Sequence, residues 1–190
     1  MQLQILGLVL AMSFPVVSVA ANAGDNDCAS IVQEDLLKCN FDKYRAEDAA
    51  LNAAFKVVKS SLSPEKAKAV VKVQRSWISF KDSYCGSFAE EGREGEINKL
   101  ICLTTISQDR IVELQRLRGE FDDGGMIRFL RVMDKFGEDR ANVLKNLRGI
   151  YTKESFGWDD YVRLHCEQVE PSGLEERNFC IARTNFLRGF

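Results

Sequence analysis

The chain has a single histidine, no Cys-x-x-Cys pair, no Gly-x-Gly-x-x-Gly or phosphate-binding loop, no Gly-x-Ser-x-Gly elbow and no excess of basic residues. Each absence removes a class. With 26 basic against 28 acidic side chains and no block of like charge, there is no field to hold a phosphate backbone, so nucleic acid is not an expected partner. His165 and six scattered cysteines give no zinc-ligand spacing, and no metal or cofactor is expected. Without nucleotide or nucleophile motifs, an enzyme is the weakest class and no catalytic residue is assigned. Period-two alternation is also missing, so no strand is assigned. What remains is a chain of 190 residues, 45% of them hydrophobic, long enough for a real core.

The first 23 residues contain no Asp, Glu, Lys or Arg, and the run from Ile5 to Ala20 is almost wholly apolar. A membrane-spanning helix needs about 20 consecutive apolar residues, whereas this run is shorter and carries Ser13, Pro15 and Ser18. It reads as a secretory signal. Ala21-Asn22-Ala23 places the cut before Gly24, with a cut after Ala20 as the competing site. Cys28 follows Asp25, Asn26 and Asp27, which does not fit a lipoprotein cut. The expected product is periplasmic or secreted, with no stable membrane insertion after cleavage.

Cys28, Cys39, Cys85, Cys102, Cys166 and Cys180 all follow the signal, and their number is even. In an oxidising compartment this predicts three disulfides. On that reading Cys166 is a bridged cysteine beside a surface imidazole, His165, and not a thiol nucleophile.

Helical periodicity dominates the rest. From Phe41 to Leu62 the residues Tyr44, Leu51, Phe55, Val58 and Leu62 form one stripe. Ser63-Pro64-Glu65 is a helix start, with Ser63 as N-cap and proline at the first position, where no N–H is needed. The second helix carries Val70, Val73, Trp77, Phe80 and Tyr84 on its inner face, and the short connection predicts an antiparallel hairpin. A Gly/Glu-rich loop over 86–96 leads to a third helix from Ile97, with Ile101, Thr104, Ile111 and Leu114 expected inward and Gly119 as its stop. Asp122, Asp123, Gly124 and Gly125 mark a boundary. Shorter helices are predicted over Met126–Phe136, Ala141–Leu147, Trp158–Val169 and Leu174–Leu187, the last two flanking Pro171, Ser172 and Gly173. The expected fold is all-α: disulfide-stapled helical hairpins over 24–118, then a smaller helical unit over 119–190.

That second unit carries an echo of the first. Trp77 precedes Cys85 by the same spacing as Trp158 precedes Cys166, with Phe80 and Tyr161 at matching places between. A degenerate second hairpin would pair Cys85 with Cys102, Cys166 with Cys180 and Cys28 with Cys39. The alternative joins Cys39 to Cys85 and Cys28 to Cys102, and the sequence does not choose.

The ordered set Asp27-Cys28, Cys39, Tyr44, Asp48, Leu51-Asn52, Gln74-Arg75-Ser76-Trp77, Cys85, Cys102-Leu103, Arg110 and Leu114 resembles the lysozyme inhibitor LprI-type domain, a small exported four-cysteine helical domain of bacteria. The resemblance covers roughly residues 27–118. It implies inhibition of lysozyme, or of a similar peptidoglycan-degrading enzyme, by occlusion. The alternative is an envelope interaction module that binds another protein or toxin without inhibiting lysozyme.

Physically, the motif residues read as structural. Asp48 stands on or beside the apolar stripe with Asn52 one turn on, so both are expected to be held across the interface by Gln74, Arg75, the Trp77 indole or Arg110. Asp48→Ala should then cost several degrees of melting temperature. Trp77 and Trp158 read as core anchors. For a partner surface the loop is the candidate, because Glu90, Glu91, Glu94 and Glu96 face a single Arg93 and can steer a cationic enzyme locally. Steering must be local: residues 24–118 hold equal numbers of acidic and basic side chains.

Overall fold

A computed structural model describes residues 28–120, 124–150, 156–169 and 173–189. The segment read as an export signal lies outside them, as do Asp122, Asp123, Pro171 and Ser172. Among the described residues there are seven α-helices and no strand: α1 Gln33–Ser61, α2 Pro64–Ser87, α3 Gly95–Arg116, α4 Gly124–Lys135, α5 Arg140–Gly149, α6 Trp158–Val169 and α7 Arg177–Gly189. No described helix is long and apolar enough to cross a membrane.

Helix α1 begins two turns before Phe41. Those turns bury almost nothing, with Val32, Leu37 and Phe41 exposed, so hydrophobic periodicity does not report them. The local devices are a Cys28–Cys39 disulfide, a Ser30 hydroxyl that accepts from the Val32 N–H, and Glu34 and Asp35 at the positive end of the helix dipole. At the other end, Ser63 caps α2 and Pro64 takes the first helical position, as the sequence predicts.

The main neighbour of α1 is α3, and α2 packs against α6 as well as α3. This follows from the faces. Val70, Val73, Trp77 and Phe80 of α2 share one apolar cluster with Leu51 and Val58 of α1, Leu114 of α3, and Trp158, Tyr161, Val162, Cys166 and Val169 of α6. A second cluster joins Met126 and Leu130 of α4, Val143 and Leu147 of α5, and Ala182 and Phe186 of α7. Helix α7 ties the two together, since Cys180 belongs to the first. Asn185 fixes the joint: it accepts from the Trp158 indole N–H at 2.7 Å and donates to the Leu147 carbonyl at 2.8 Å.

Three expectations change. Ile101 is 47% exposed, and the buried track of α3 is instead Leu100, Leu103, Ser107, Arg110 and Leu114. Helix α4 starts at Gly124 and not Met126, a place where glycine is tolerated because first-turn N–H groups have no intrahelical partner. Helix α7 starts at Arg177 and not Leu174, because Glu176 accepts from the backbone N–H groups of Asn178 and Phe179 and so fixes the first turn. Gly119 ends the third helical segment as expected, at φ +82°.

The disulfides are Cys28–Cys39, Cys85–Cys102 and Cys166–Cys180, which rules out the alternative pairing. The second ties the end of α2 to α3. The third ties α6 to α7.

Candidate functional site

Between α2 and α3 the chain makes two single-turn 3₁₀ segments, Phe88–Glu90 and Gly92–Glu94. The Cys85–Cys102 bridge closes the base of this loop. Its compactness depends on two glycines. Gly92 adopts φ +84°, and a Cβ on Gly95 would stand 2.6 Å from the Phe88 carbonyl oxygen and 2.8 Å from that of Ala89. Glu90, Glu91, Glu94 and Glu96 are all exposed. Only Glu96 has an ion-pair partner among the described residues, Lys99 at 3.4 Å. Glu94 and Glu96 stand at the N-terminus of α3, where the helix dipole favours a carboxylate. That accounts for two of the four. Glu90 and Glu91 have no such structural use, and the backbone of Arg93 lies in the second turn beside them.

Toward the C-terminal end of α3 lies a buried polar cluster. Glu113 of α3 faces Arg183 of α7: Nη1 of Arg183 donates to Oε1 of Glu113 and its Nη2 donates to Oε2 at 3.0 Å. Arg183 also grips Glu175, its Nε donating to Oε1 at 2.8 Å and its Nη2 to Oε2 at 3.0 Å. His165 approaches Glu113 from α6, with Nε2 at 2.7 Å from Oε2. Burial alone would raise the pKa of Glu113, but the Arg183 charge and the hydrogen bonds from His165 and Arg183 together outweigh it and hold the carboxyl well below its usual range. For His165 burial dominates and lowers the pKa, against the pull of Glu113 and with help from the Arg110 and Arg183 charges. The imidazole is therefore neutral, and the proton sits on Nε2, donated to Glu113. Its Nδ1 has no hydrogen-bond partner among the described residues, which suits a bare lone pair better than a buried N–H.

Arg110 is different. It is 1% exposed, yet its partners are neutral: Nε donates to Oε1 of Gln74 at 2.9 Å and Nη1 to the Tyr161 hydroxyl at 3.2 Å. Nη2 has no partner among the described residues. Arg110 contributes to the wall of a cavity of about 340 Å³ enclosed by α2, α3, α6 and α7, whose apolar walls include Phe80, Trp158 and Tyr161. Asp109 and Arg188 also line it. Burial, reinforced by the Glu113 charge, raises the pKa of Asp109 to about 6. The Arg188 guanidinium lies 4.9–5.2 Å from the ring centres of Phe80, Tyr84 and Trp158.

Residues 25–114 match the model of the family described as "Lysozyme inhibitor LprI". The match falls on the segment whose residues resemble that family. The chain is also 29% identical over 129 residues to an uncharacterized protein of Rhizobium meliloti (strain 1021), an alignment covering 59% of this chain and 91% of that one. No solved structure matches.

Within the LprI-matching segment the motif residues separate. Trp77 is a buried anchor, and Gln74 and Arg110 meet across α2 and α3. Asp48 and Asn52 do not join them: Asn52 Nδ2 donates to Asp48 Oδ2 at 3.0 Å along α1, and Arg75 is exposed. The expected brace of Asp48 across the interface is thus replaced by a contact along one helix, because Asn52 points outward. His165 also departs from expectation, being fully buried and not at the surface. Sequence reasoning missed Glu113, Arg183 and the environment of His165. The available signal was a charged residue within an apolar stripe on each of two helices, Glu113 beside Leu114 and Arg183 three residues after Cys180.

Proposed function

We propose that the exported, oxidised chain binds lysozyme or a similar peptidoglycan-degrading enzyme and inhibits it by occlusion, with the loop 86–96 as the contacting element. The observation that carries this reading is the stapled acidic loop on the LprI-matching segment, in which Glu90 and Glu91 are exposed and have no ion partner among the described residues. A loop held at its base by a disulfide loses little freedom on binding, and a local cluster of carboxylates raises the encounter rate with a cationic enzyme. Glu90, Glu91, Arg93, Glu94 and Glu96 are the proposed contact residues. The three disulfides accord with an oxidising compartment such as the periplasm.

Charge reversal at Glu90, Glu91 and Glu94 tests the assignment. Binding to an animal-type lysozyme should weaken, with most of the change in the association rate and in its salt dependence. Unchanged affinity at low salt would remove the loop from the interface.

A further inference from the structure

Over residues 124–150 the chain holds six basic side chains against three acidic ones, although its overall balance is weakly acidic. Half of the six stand on α4. Met126 and Leu130 bury one side of that helix in the second apolar cluster, with Phe129 and Met133 packed partly against it. At about 100° per residue, the opposite arc carries Ile127, Arg131, Lys135, Arg128, Val132 and Phe136 in that order. All six are exposed, Ile127 at 39%, Val132 at 47% and Phe136 at 79%. Arg128, Arg131 and Lys135 have no ion-pair or hydrogen-bond partner among the described residues. Asp134 stands at the edge of this arc, and Asp139, past the turn, is engaged as the N-cap of α5.

The exposure of Phe136 is set by the backbone and is not that of a fraying end. Gly137, at φ +80°, donates to the Asp134 carbonyl at 3.1 Å, and the Glu138 N–H donates to that of Met133 at 3.1 Å, the paired bonds that stop a helix. We propose that this outer face of α4 rests on an anionic lipid bilayer, with the three cations at the headgroup phosphates and Ile127, Val132 and Phe136 entering the acyl boundary. A soluble polyanion would use the cations and leave three apolar side chains in water, whereas an apolar protein groove would have to strip three unpaired cations of water. A bilayer interface accommodates both kinds of side chain on one helix face. At 12 residues α4 lies along the surface and does not cross it. The face belongs to a different element from the loop 86–96, and its lipid contact does not depend on enzyme binding.

The test is flotation of the oxidised chain with two kinds of vesicle, phosphatidylcholine alone and phosphatidylcholine mixed equally with phosphatidylglycerol, beside retention on heparin as a soluble polyanion. The protein should bind the mixed vesicles at least about tenfold more tightly than the neutral ones, and less tightly as salt rises. Arg128→Glu combined with Arg131→Glu should reduce binding to the neutral-vesicle level. Phe136→Ser, which keeps the charge, should weaken binding to mixed vesicles at least about fivefold. Melting curves of both variants should match the parent's, since all three positions are exposed. Failure to float with the mixed vesicles, or equal binding of the neutral ones, would overturn the proposal, as would undiminished binding by the double variant. Retention on heparin with vesicle binding unchanged in Phe136→Ser would make the face a polyanion site and overturn the lipid assignment.

Discussion

Glu113 and Arg183, 70 positions apart in the chain, meet face to face inside the protein, the guanidinium spanning both carboxylate oxygens with each side chain almost wholly closed to solvent. The pair joins the LprI-matching segment to α7, outside it. Removing one partner strands the other as a buried charge, so Glu113→Ala should destabilise by about 3–5 kcal/mol. Replacing both with apolar residues of similar volume should recover much of the loss, since the desolvation cost leaves with the charges. Denaturant titration of the two single variants and the double variant checks this.

His165 is the chain's only histidine, so its ring proton resonance can be followed without ambiguity. Its folded pKa is lowered, so the native state resists a proton that the unfolded chain accepts at about 6.5. Its contribution is fully present above that value and is lost as pH falls below it. The resonance should show no titration step near 6.5 and shift only at lower pH, whereas an ordinary titration near 6.5 would mean the ring is not closed off as described.

Asp109 pulls the other way. With a folded pKa of about 6 against an ordinary value of 3.8, its carboxylate is penalised in the native state: the favourable contribution exists below 3.8 and is lost as pH rises through about 6. Asp109→Asn removes the penalty. The variant should be more stable than the parent by about 1–3 kcal/mol above pH 6.5 and equal to it near pH 3.5, as a pH series of melting curves would show.

The Cys85–Cys102 bridge closes a loop of 17 positions, for which the chain-entropy account gives about 3 kcal/mol of stability. Replacing both cysteines by serine should lower the melting temperature and weaken lysozyme binding. Gly95→Ala should weaken binding and also lower the melting temperature, because the added methyl would stand 2.6 and 2.8 Å from the backbone carbonyl oxygens of Phe88 and Ala89 and the backbone itself must shift. Comparison of melting curves with binding constants separates the two effects.

Much of the scaffold was legible from local chemistry. Ser63-Pro64 marked the start of α2, and Trp158 to Val169 was bounded correctly because its polar and apolar positions alternate at helical spacing. Legibility failed where a tertiary partner decided the outcome. The face of α3 was misjudged at Ile101 because Arg110 and Ser107, polar in type, hold buried places that the neighbouring helices make tolerable. The surface position assumed for His165 was wrong for the same reason: Glu113, distant in sequence, satisfies the ring in the interior. Asp48 failed in the opposite sense. It has a partner on its own helix, so the several-degree cost expected for Asp48→Ala should shrink to the few tenths of a kcal/mol typical of an exposed contact. The acidic loop was visible as composition, but its two turns and the close approach at Gly95 required the backbone.

The most direct measurement is lysis of a peptidoglycan suspension by an animal-type lysozyme in the presence of oxidised residues 24–190, beside the same protein with Glu90, Glu91 and Glu94 reversed in charge. The account predicts dose-dependent protection near stoichiometric ratios by the parent and clearly reduced protection by the variant. No protection by the parent, at concentrations well above the enzyme's, would contradict it.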